Sequence, residues 1–310
     1  MLSLTQVFET LDTTVLDKEP TVYFIPGFVG LILLEMWLAH RQRMEVHRDR
    51  LDSLASIGMG LGSLVVDAGM KVLALGVLTF LYQFRLFDLG EGSWLSLSHW
   101  YLWPLLLLAD DFSFYWHHRM SHTVRLLWAA HVNHHSSEQY NLAVALRQSW
   151  TEDLYKYMFW LWMPLVGFPP VAMLTMMSLS LIYQFWIHTE TIRSLGPLEW
   201  IMNTPSHHRV HHASNVRYLD RNHGGILIIW DRLFGTFEPE TEPVHYGLTT
   251  NIHTHNLFKI AFHEFGAIWR DVMSAKTWSA RLGYMINPPG WSPDGRTKTS
   301  DQLRQEQGLS

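Results

Sequence analysis

Cysteine is absent from this chain of 310 residues. Its absence excludes disulfides, thiolate zinc sites, iron–sulfur clusters and cysteine nucleophiles together. Charged residues are also scarce, because they make up 16% of the chain against roughly 25% in a typical soluble domain. Hydrophobic residues make up 48% of it, so we infer that much of the chain lies in an apolar solvent. The net charge of -5 gives no electrostatic basis for binding nucleic acid.

Histidine is abundant where cysteine is missing. The chain has 19 histidines, and many of them fall into three short clusters. The clustered histidines are His117, His118 and His122, then His131, His134 and His135, then His207, His208, His211 and His212. Residues three and four apart are neighbours on a helix face, and one helical turn rises about 5.4 Å, so such pairs can reach one metal ion. Three clusters supply more ligands than one ion can use, and a two-metal centre is therefore predicted.

Imidazole ligands alone do not identify the metal, since iron, zinc, copper and nickel all accept them. Two ions with open coordination positions are suited to metal-assisted hydrolysis or to the activation of dioxygen. Carboxylates near the clusters are candidates for orienting the rings. These candidates are Asp111, Glu138, Glu152 and Glu190. Asn133 and Arg209, inside the motifs, are expected to orient ligands rather than to bind metal.

Apolar stretches predict several membrane spans. They cover residues 22–39, 54–86 and 100–116, and a proline-interrupted helical hairpin over 154–187. Arginines at 41, 43, 48 and 50 follow the first stretch, and by the positive-inside rule that end faces the cytoplasm. All three histidine clusters then lie on the cytoplasmic side. We therefore predict an all-α fold, an integral membrane helical bundle with a cytoplasmic cap that carries a histidine-rich dimetal site.

The predicted domain organisation is simple. Residues 1–293 are expected to form a single membrane-embedded domain, and residues 294–310 a polar C-terminal tail. The predicted protein is a multi-pass membrane protein with its histidine site on the cytoplasmic side.

The histidine motifs resemble those of the fatty acid hydroxylase / sterol desaturase superfamily. Its signature is H-x3–4-H followed by two H-x2-H-H motifs, and the three clusters match it in order and spacing. Within this superfamily, flanking stretches such as 127–131, 141–149, 195–200 and 203–212 are most similar to the alkylglycerol monooxygenases. The resemblance implies metal ligation by His118, His122, His131, His134, His135, His188, His207, His208, His211 and His212.

The resemblance also implies a reaction. Two iron ions would use dioxygen to hydroxylate or desaturate a C–H bond of a lipid that arrives from the bilayer. An external electron donor would be needed, which is tetrahydrobiopterin, cytochrome b5 or a ferredoxin-type protein in different branches of the superfamily. Cleavage of alkylglycerol ether lipids, and hydroxylation or desaturation of a sterol or fatty acyl chain, are the substrate alternatives.

Two other function classes stay open on the residues alone. A histidine-rich metal transporter would place its ionisable ligands near the bilayer midplane on broken helices, whereas these histidines flank the predicted spans. A zinc-dependent membrane hydrolase would usually carry an H-E-x-x-H helix, which this sequence lacks. A lipid oxygenase is therefore the favoured interpretation.

Overall fold

A computed structural model describes residues 20–47, 49–89 and 100–309 of the chain. The other positions lie outside the described residues: they are residues 1–19 at the start of the predicted 1–293 domain, Arg48, residues 90–99, and Ser310 at the end of the predicted tail. Helices in chain order are α1 Pro20–Gln42, α2 Arg50–Tyr82, α3 Leu102–Thr123, α4 Arg125–His135, α5 Trp162–Val166, α6 Pro170–Trp186, α7 Pro205–His211, α8 Ile229–Phe234, α9 Leu257–Ser274, α10 Trp278–Ile286 and α11 Ser300–Glu306. Extended pairing within the described residues is limited to two isolated bridges. The predicted all-α class is confirmed for this part of the chain.

Helices α1 and α2 are long and apolar enough to cross a membrane. At about 1.5 Å per residue, the 23 residues of α1 exceed the roughly 30 Å of a bilayer core. Only Glu35 and Ala39 are buried along α1, so most of its apolar surface faces outward. The carboxylate of Asp49 accepts hydrogen bonds from the first backbone amides of α2. This cap explains why α2 begins ahead of its apolar stretch.

The predicted hairpin over 154–187 differs between its two halves. The second half is α6, a regular helix of 17 residues. The first half consists of two 3-10 turns, Glu152–Leu154 and Lys156–Trp160, followed by the short α5. Polar side chains explain the difference: Lys156 pairs with Asp67 of α2, and Glu152 contacts histidine rings. These two polar contacts hold the first half of the hairpin against the interior of the protein.

The apolar core fixes the helices that carry the histidines. Its fully buried members Leu78, Leu106, Met163 and Met173 come from α2, α3, α5 and α6. A second contact joins α2 to the segment after α4, because the buried Arg147 guanidinium pairs with Asp52 at 3.1 Å. These contacts hold α3 and α6, which lead to two of the histidine-bearing segments, in one packed core.

The C-terminal part packs against α4 rather than extending away. Arg125, at the start of α4, pairs with Glu264 and Asp271 of α9, each at 2.7 Å. Within the predicted polar tail, α11 begins with a capping box formed by Thr299 and Gln302. The tail thus contains a short ordered helix, since local capping supplies what apolar periodicity does not.

Two glycines of α2 provide a matched test of this packing. A Cβ on Gly60 would lie 2.6 Å from the backbone oxygen of Leu146, whereas a Cβ on Gly69 meets nothing within 4 Å. We expect Gly60→Ala to lower the free energy of unfolding by about 1–3 kcal/mol through overpacking. Gly69→Ala should leave it unchanged or raise it by up to ~1 kcal/mol. Thermal unfolding in detergent, followed by tryptophan fluorescence, measures both, and equal midpoints for the two variants would contradict the packing.

Candidate metal centre

Nine histidines converge into two adjacent groups. In each group one ring nitrogen of every member lies within 4.8 Å of the others. The first group is His118, His122, His131, His135 and His211, and the second is His134, His188, His208 and His212. They come from the end of α3, from α4, from His188 just after α6, and from α7 with its C-cap residue His212. Each of these residues is at most 9% exposed, so the site is shielded from water.

Two clustered histidines stand apart from these groups. His207 belongs to neither, and its ring packs against Phe237 at 5.4 Å. Neighbouring residues on a helix point about 100° apart, so His207 and His208 cannot face the same point. His117, which precedes His118, has its Nε2 3.2 Å from a carboxylate oxygen of Glu152. In the sequence, only the family resemblance distinguishes His118 from His117 as a ligand. The helix geometry separates the two rings directly.

Opposing ring nitrogens lie very close together in both groups. In the second group, Nε2 of His188 is 3.2 Å from Nε2 of His134 and 2.9 Å from Nε2 of His208. In the first group, Nε2 of His131 is 3.1 Å from Nε2 of His118 and 3.3 Å from Nε2 of His135. Contacts this short between like atoms need either a shared proton or a cation between them.

The other ring nitrogens decide between these two possibilities. Nδ1–H groups donate to backbone carbonyls: His118 to His223 at 2.8 Å, and His188 to Gln184 at 2.7 Å. A carbonyl oxygen can only accept, so in these rings Nδ1 carries the proton and Nε2 presents a lone pair. His134 likewise points its Nδ1 at the carbonyl of Arg147 at 3.3 Å. The facing Nε2 atoms of His134 and His188 therefore both present lone pairs, and no hydrogen bond can form between them.

A metal ion fits this donor set. Imidazole nitrogens bind such ions at about 2.0–2.1 Å, so two ligands at a right angle are about 3 Å apart, close to the separations seen here. In addition, the buried Nε2 atoms of His122, His211 and His212 have no hydrogen-bond partner, although buried polar atoms are normally satisfied. The residues present therefore fit one cation in each group.

The protonation states suit ligation as well. Burial, together with neighbouring imidazoles, lowers the pKa of His211 and of His212 well below the usual range. Burial likewise lowers the pKa of His188 to about 4. These rings are neutral at physiological pH, which is the form that binds a metal.

Glu152 is the predicted carboxylate that reaches the rings. Its two oxygens lie 3.2 Å from Nδ1 of His131 and 3.2 Å from Nε2 of His117. Although burial raises the pKa of Glu152, the neighbouring His131 and the hydrogen bonds from both rings hold it well below the usual range. The carboxylate stays ionised and fixes the tautomer of His131.

The other predicted orienting residues act one step further away. Asp111 accepts hydrogen bonds from the amides of Ile226 and Leu227 and from the indole N–H of Trp230, so it anchors a backbone segment rather than a histidine ring. Glu138 pairs with the exposed His253 at 2.8 Å. Arg209 donates to the carbonyls of Thr189 and Ile192 and thereby holds the segment that follows His188.

Sequence reasoning missed the backbone carbonyls that orient the rings, because an acceptor that every residue possesses leaves no compositional signal. Three acceptors that orient rings come from one short loop. Two are the carbonyls of Arg221 and His223, and the third is the side-chain carboxylate of Asp220. His223 itself is 1% exposed, and its ring centroid is 5.1 Å from that of His122. In the sequence, the only indication that His223 lies beside the first group is that it follows shortly after the third histidine motif.

The Glu152 contacts lead to a prediction about metal affinity. Replacement by the isosteric Glu152→Gln keeps the volume but removes the charge that holds Nδ1–H of His131. Loss of such an outer partner typically lowers metal affinity about 10–100-fold, and we expect a loss of this size. Metal competition against a chelator measures it. Glu138→Gln is the matched control because its carboxylate lies at the surface, and an identical effect of both variants would contradict the role of Glu152.

Comparison with known proteins finds sequences similar to the segment that carries this site. Residues 103–236 match the Fatty acid hydroxylase family model. Alkylglycerol monooxygenase of Xenopus tropicalis is 41% identical over 278 residues, which cover 89% of this chain and 59% of the relative. The Homo sapiens protein of that name is 41% identical, with 86% and 59% covered. A more distant relative, ornithine lipid hydroxylase OlsE of Rhizobium tropici, is 28% identical, with 51% of each chain covered.

The match contains all nine of the converging histidines. The chain spans about three fifths of the length of its alkylglycerol monooxygenase relatives, and no solved structure matches it. The resemblance read from the histidine motifs is confirmed, because residues 103–236 of this chain match the fatty acid hydroxylase family model.

Proposed function

We propose that this protein is a membrane-integral, di-iron oxygenase that uses dioxygen to hydroxylate or desaturate a C–H bond of a lipid. The observation that carries the proposal is the pair of buried, neutral imidazole groups whose Nε2 atoms converge. An all-imidazole shell adds no negative charge, so two divalent ions would keep most of their charge and their open positions. Lipid hydroxylase relatives support iron and dioxygen over zinc and water.

The two groups would divide the ions between them. The five histidines of the first group would hold one iron, and the four of the second would hold the other. When bound, the iron pair supplies the activation of dioxygen and its reduction by external electrons. The chain's own residues orient the imidazoles through Nδ1 and keep bulk water away from them. His207, the tenth predicted ligand, would then support the site through packing, because its ring is turned toward Phe237.

Membrane integration is supported by the outer surfaces of α1 and α2. Large apolar side chains project outward along them, including Leu33 at 60%, Leu61 at 63% and Val65 at 78% exposure. Such surface is costly in water and suited to lipid. Within the basic connection between these helices, Val46 contacts the segment that follows α4. Asn141 donates to the carbonyl of Val46 at 2.8 Å, which supports a multi-pass protein with its site on the cytoplasmic side.

An alkylglycerol ether lipid is the first substrate to test, because the names of the 41% identical relatives specify it. A sterol or fatty acyl hydroxylase or desaturase is the alternative, supported by relatives named ornithine lipid hydroxylase and Delta(7)-sterol 5(6)-desaturase. The electron donor in this proposal is tetrahydrobiopterin, cytochrome b5 or a ferredoxin-type protein. Each donor can be supplied separately to the purified protein.

Metal analysis and dioxygen uptake test the proposed reaction. We expect about two irons per chain after purification in detergent, and dioxygen consumption that rises when an alkylglycerol and tetrahydrobiopterin are added. Two irons without stimulation would retain the oxygenase class and favour a sterol or fatty acyl substrate or another donor. Zinc alone, after expression with ample iron, would contradict the proposal.

Single histidine variants test the division of the ions. His211→Ala removes a ligand from the first group and His134→Ala one from the second, so each variant should lose about half of the bound metal and at least ~100-fold in turnover. His253→Ala is the control, because that side chain is exposed and far from both groups. Full turnover in either of the first two variants would contradict the assignment of that ligand.

A further inference from the structure

The loop over residues 219–223 and the C-terminal helix α11 meet beside the first histidine group. We infer that α11 is a positioning element for the metal of the first group, with Arg304 as its main positioning residue. The inference rests on the proposed metal centre and adds a residue outside the matched 103–236 segment. No comparable contact to the second group comes from α11 among the described residues.

The loop holds three of the five rings of the first group. The carbonyl of Arg221 accepts from Nδ1 of His211 at 2.9 Å, and the carbonyl of His223 accepts from Nδ1 of His118 at 2.8 Å. The carboxylate of Asp220 lies 3.3 Å from Nδ1 of His122. Because the Nδ1 contact sets the direction of the Nε2 lone pair, displacement of this short loop would misalign three ligands at once.

The loop contains two residues in an uncommon backbone conformation, which surrounding contacts hold in place. Asp220 and Asn222 have φ angles of 55° and 56°, in the left-handed region that few non-glycine residues adopt and that Asp and Asn tolerate best. The backbone of the second half of the loop is held by hydrogen bonds to residues of the matched 103–236 segment and to Glu238, which lies just after it. The side chain of Asn222 donates to the carbonyls of His207 and Glu238, and Asp231 accepts from the amide of His223.

The first half of the loop is held by α11. The Arg304 guanidinium donates to the carbonyl of Leu219 and also binds Asp301 of its own helix. Ser300, at the start of the same helix, hydrogen-bonds the carboxylate of Asp220. Arg304 is 7% exposed, although it stands in a polar segment near the end of the chain. A buried arginine in such a segment indicates a docked contact rather than a solvated tail.

The contrast with the second group makes the inference specific. There, Nδ1 of His134 faces the carbonyl of Arg147, and Nδ1 of His188 faces that of Gln184. Arg147 is fixed by its buried pair with Asp52, and Gln184 lies within α6. Loss of the α11 contact should therefore loosen the first metal and leave the second unaffected.

The test uses full-length protein with one group disabled at a time. In a His212→Ala background the first group holds the remaining ion, and in a His211→Ala background the second group does. We expect Arg304→Ala to speed chelator removal of the remaining iron about 10–100-fold in the first background and not in the second. Arg296→Ala is the matched control, since Arg296 is an exposed arginine of the same tail, paired with Asp294. Arg304→Lys should restore part of the retention.

The outcomes separate this inference from the proposed function. Equal release rates for Arg304→Ala and Arg296→Ala in the His212→Ala background would overturn the inference while the wild-type protein still bound two irons. Equal acceleration in both backgrounds would also overturn it, by showing a general effect on stability. A wild-type protein without iron would overturn both. If Arg304→Ala does not fold, Asp220→Asn must show the same selective acceleration, and normal iron retention by it would refute the inference.

Discussion

The structure depends on one constraint, which is that nine buried imidazoles present nitrogens that cannot satisfy one another. A buried polar atom left without a partner costs about 1–3 kcal/mol, and several converge here. Backbone carbonyls fix the proton on Nδ1 in rings such as His118 and His188, so the facing Nε2 lone pairs remain. A cation turns each of these unfavourable contacts into a ligand bond. The site is therefore stable as a metal centre and costly without one.

The surroundings of the site follow from this requirement. Burial favours the neutral form of an imidazole, and the rings accordingly lie in the interior, at or near the ends of helices. Helix α1 is tied to the same region, because its buried Glu35 accepts hydrogen bonds from the amide of Leu142 and the hydroxyl of Thr189. Thr189 directly follows the ligand candidate His188. Helix α1, whose outer surface is apolar, is thus joined to the site through residues that flank the histidines.

The sequence predicts the histidine groups well and their supports poorly. Spacings of three and four residues select the rings that share a helix face, as with His118 and His122. The spacing could not exclude His207, since only the helix geometry shows that it points away from His208. Nor could it select Glu152 from the four candidate carboxylates as the one that contacts His131, because all four lie near a histidine cluster in the sequence. Carbonyl acceptors such as that of Arg221 have no signal in the sequence beyond the left-handed preference of the adjoining Asp220 and Asn222.

The two metal groups are held by different parts of the chain, and this asymmetry has a physical consequence. The second group is fixed through the carbonyl of Arg147, whose side chain is buried against Asp52 of α2, and through the carbonyl of Gln184 within α6. The first is fixed through Glu152 and through a loop whose Asp220 and Asn222 have left-handed backbone angles. Contacts to loops open at lower free energy than contacts within packed helices. In the proposed two-iron centre, the ion of the first group would therefore be the one whose ligands can rearrange, and the ion of the second group would be the more rigid of the pair. The proposed reaction with dioxygen and a lipid would benefit from one adaptable and one fixed position.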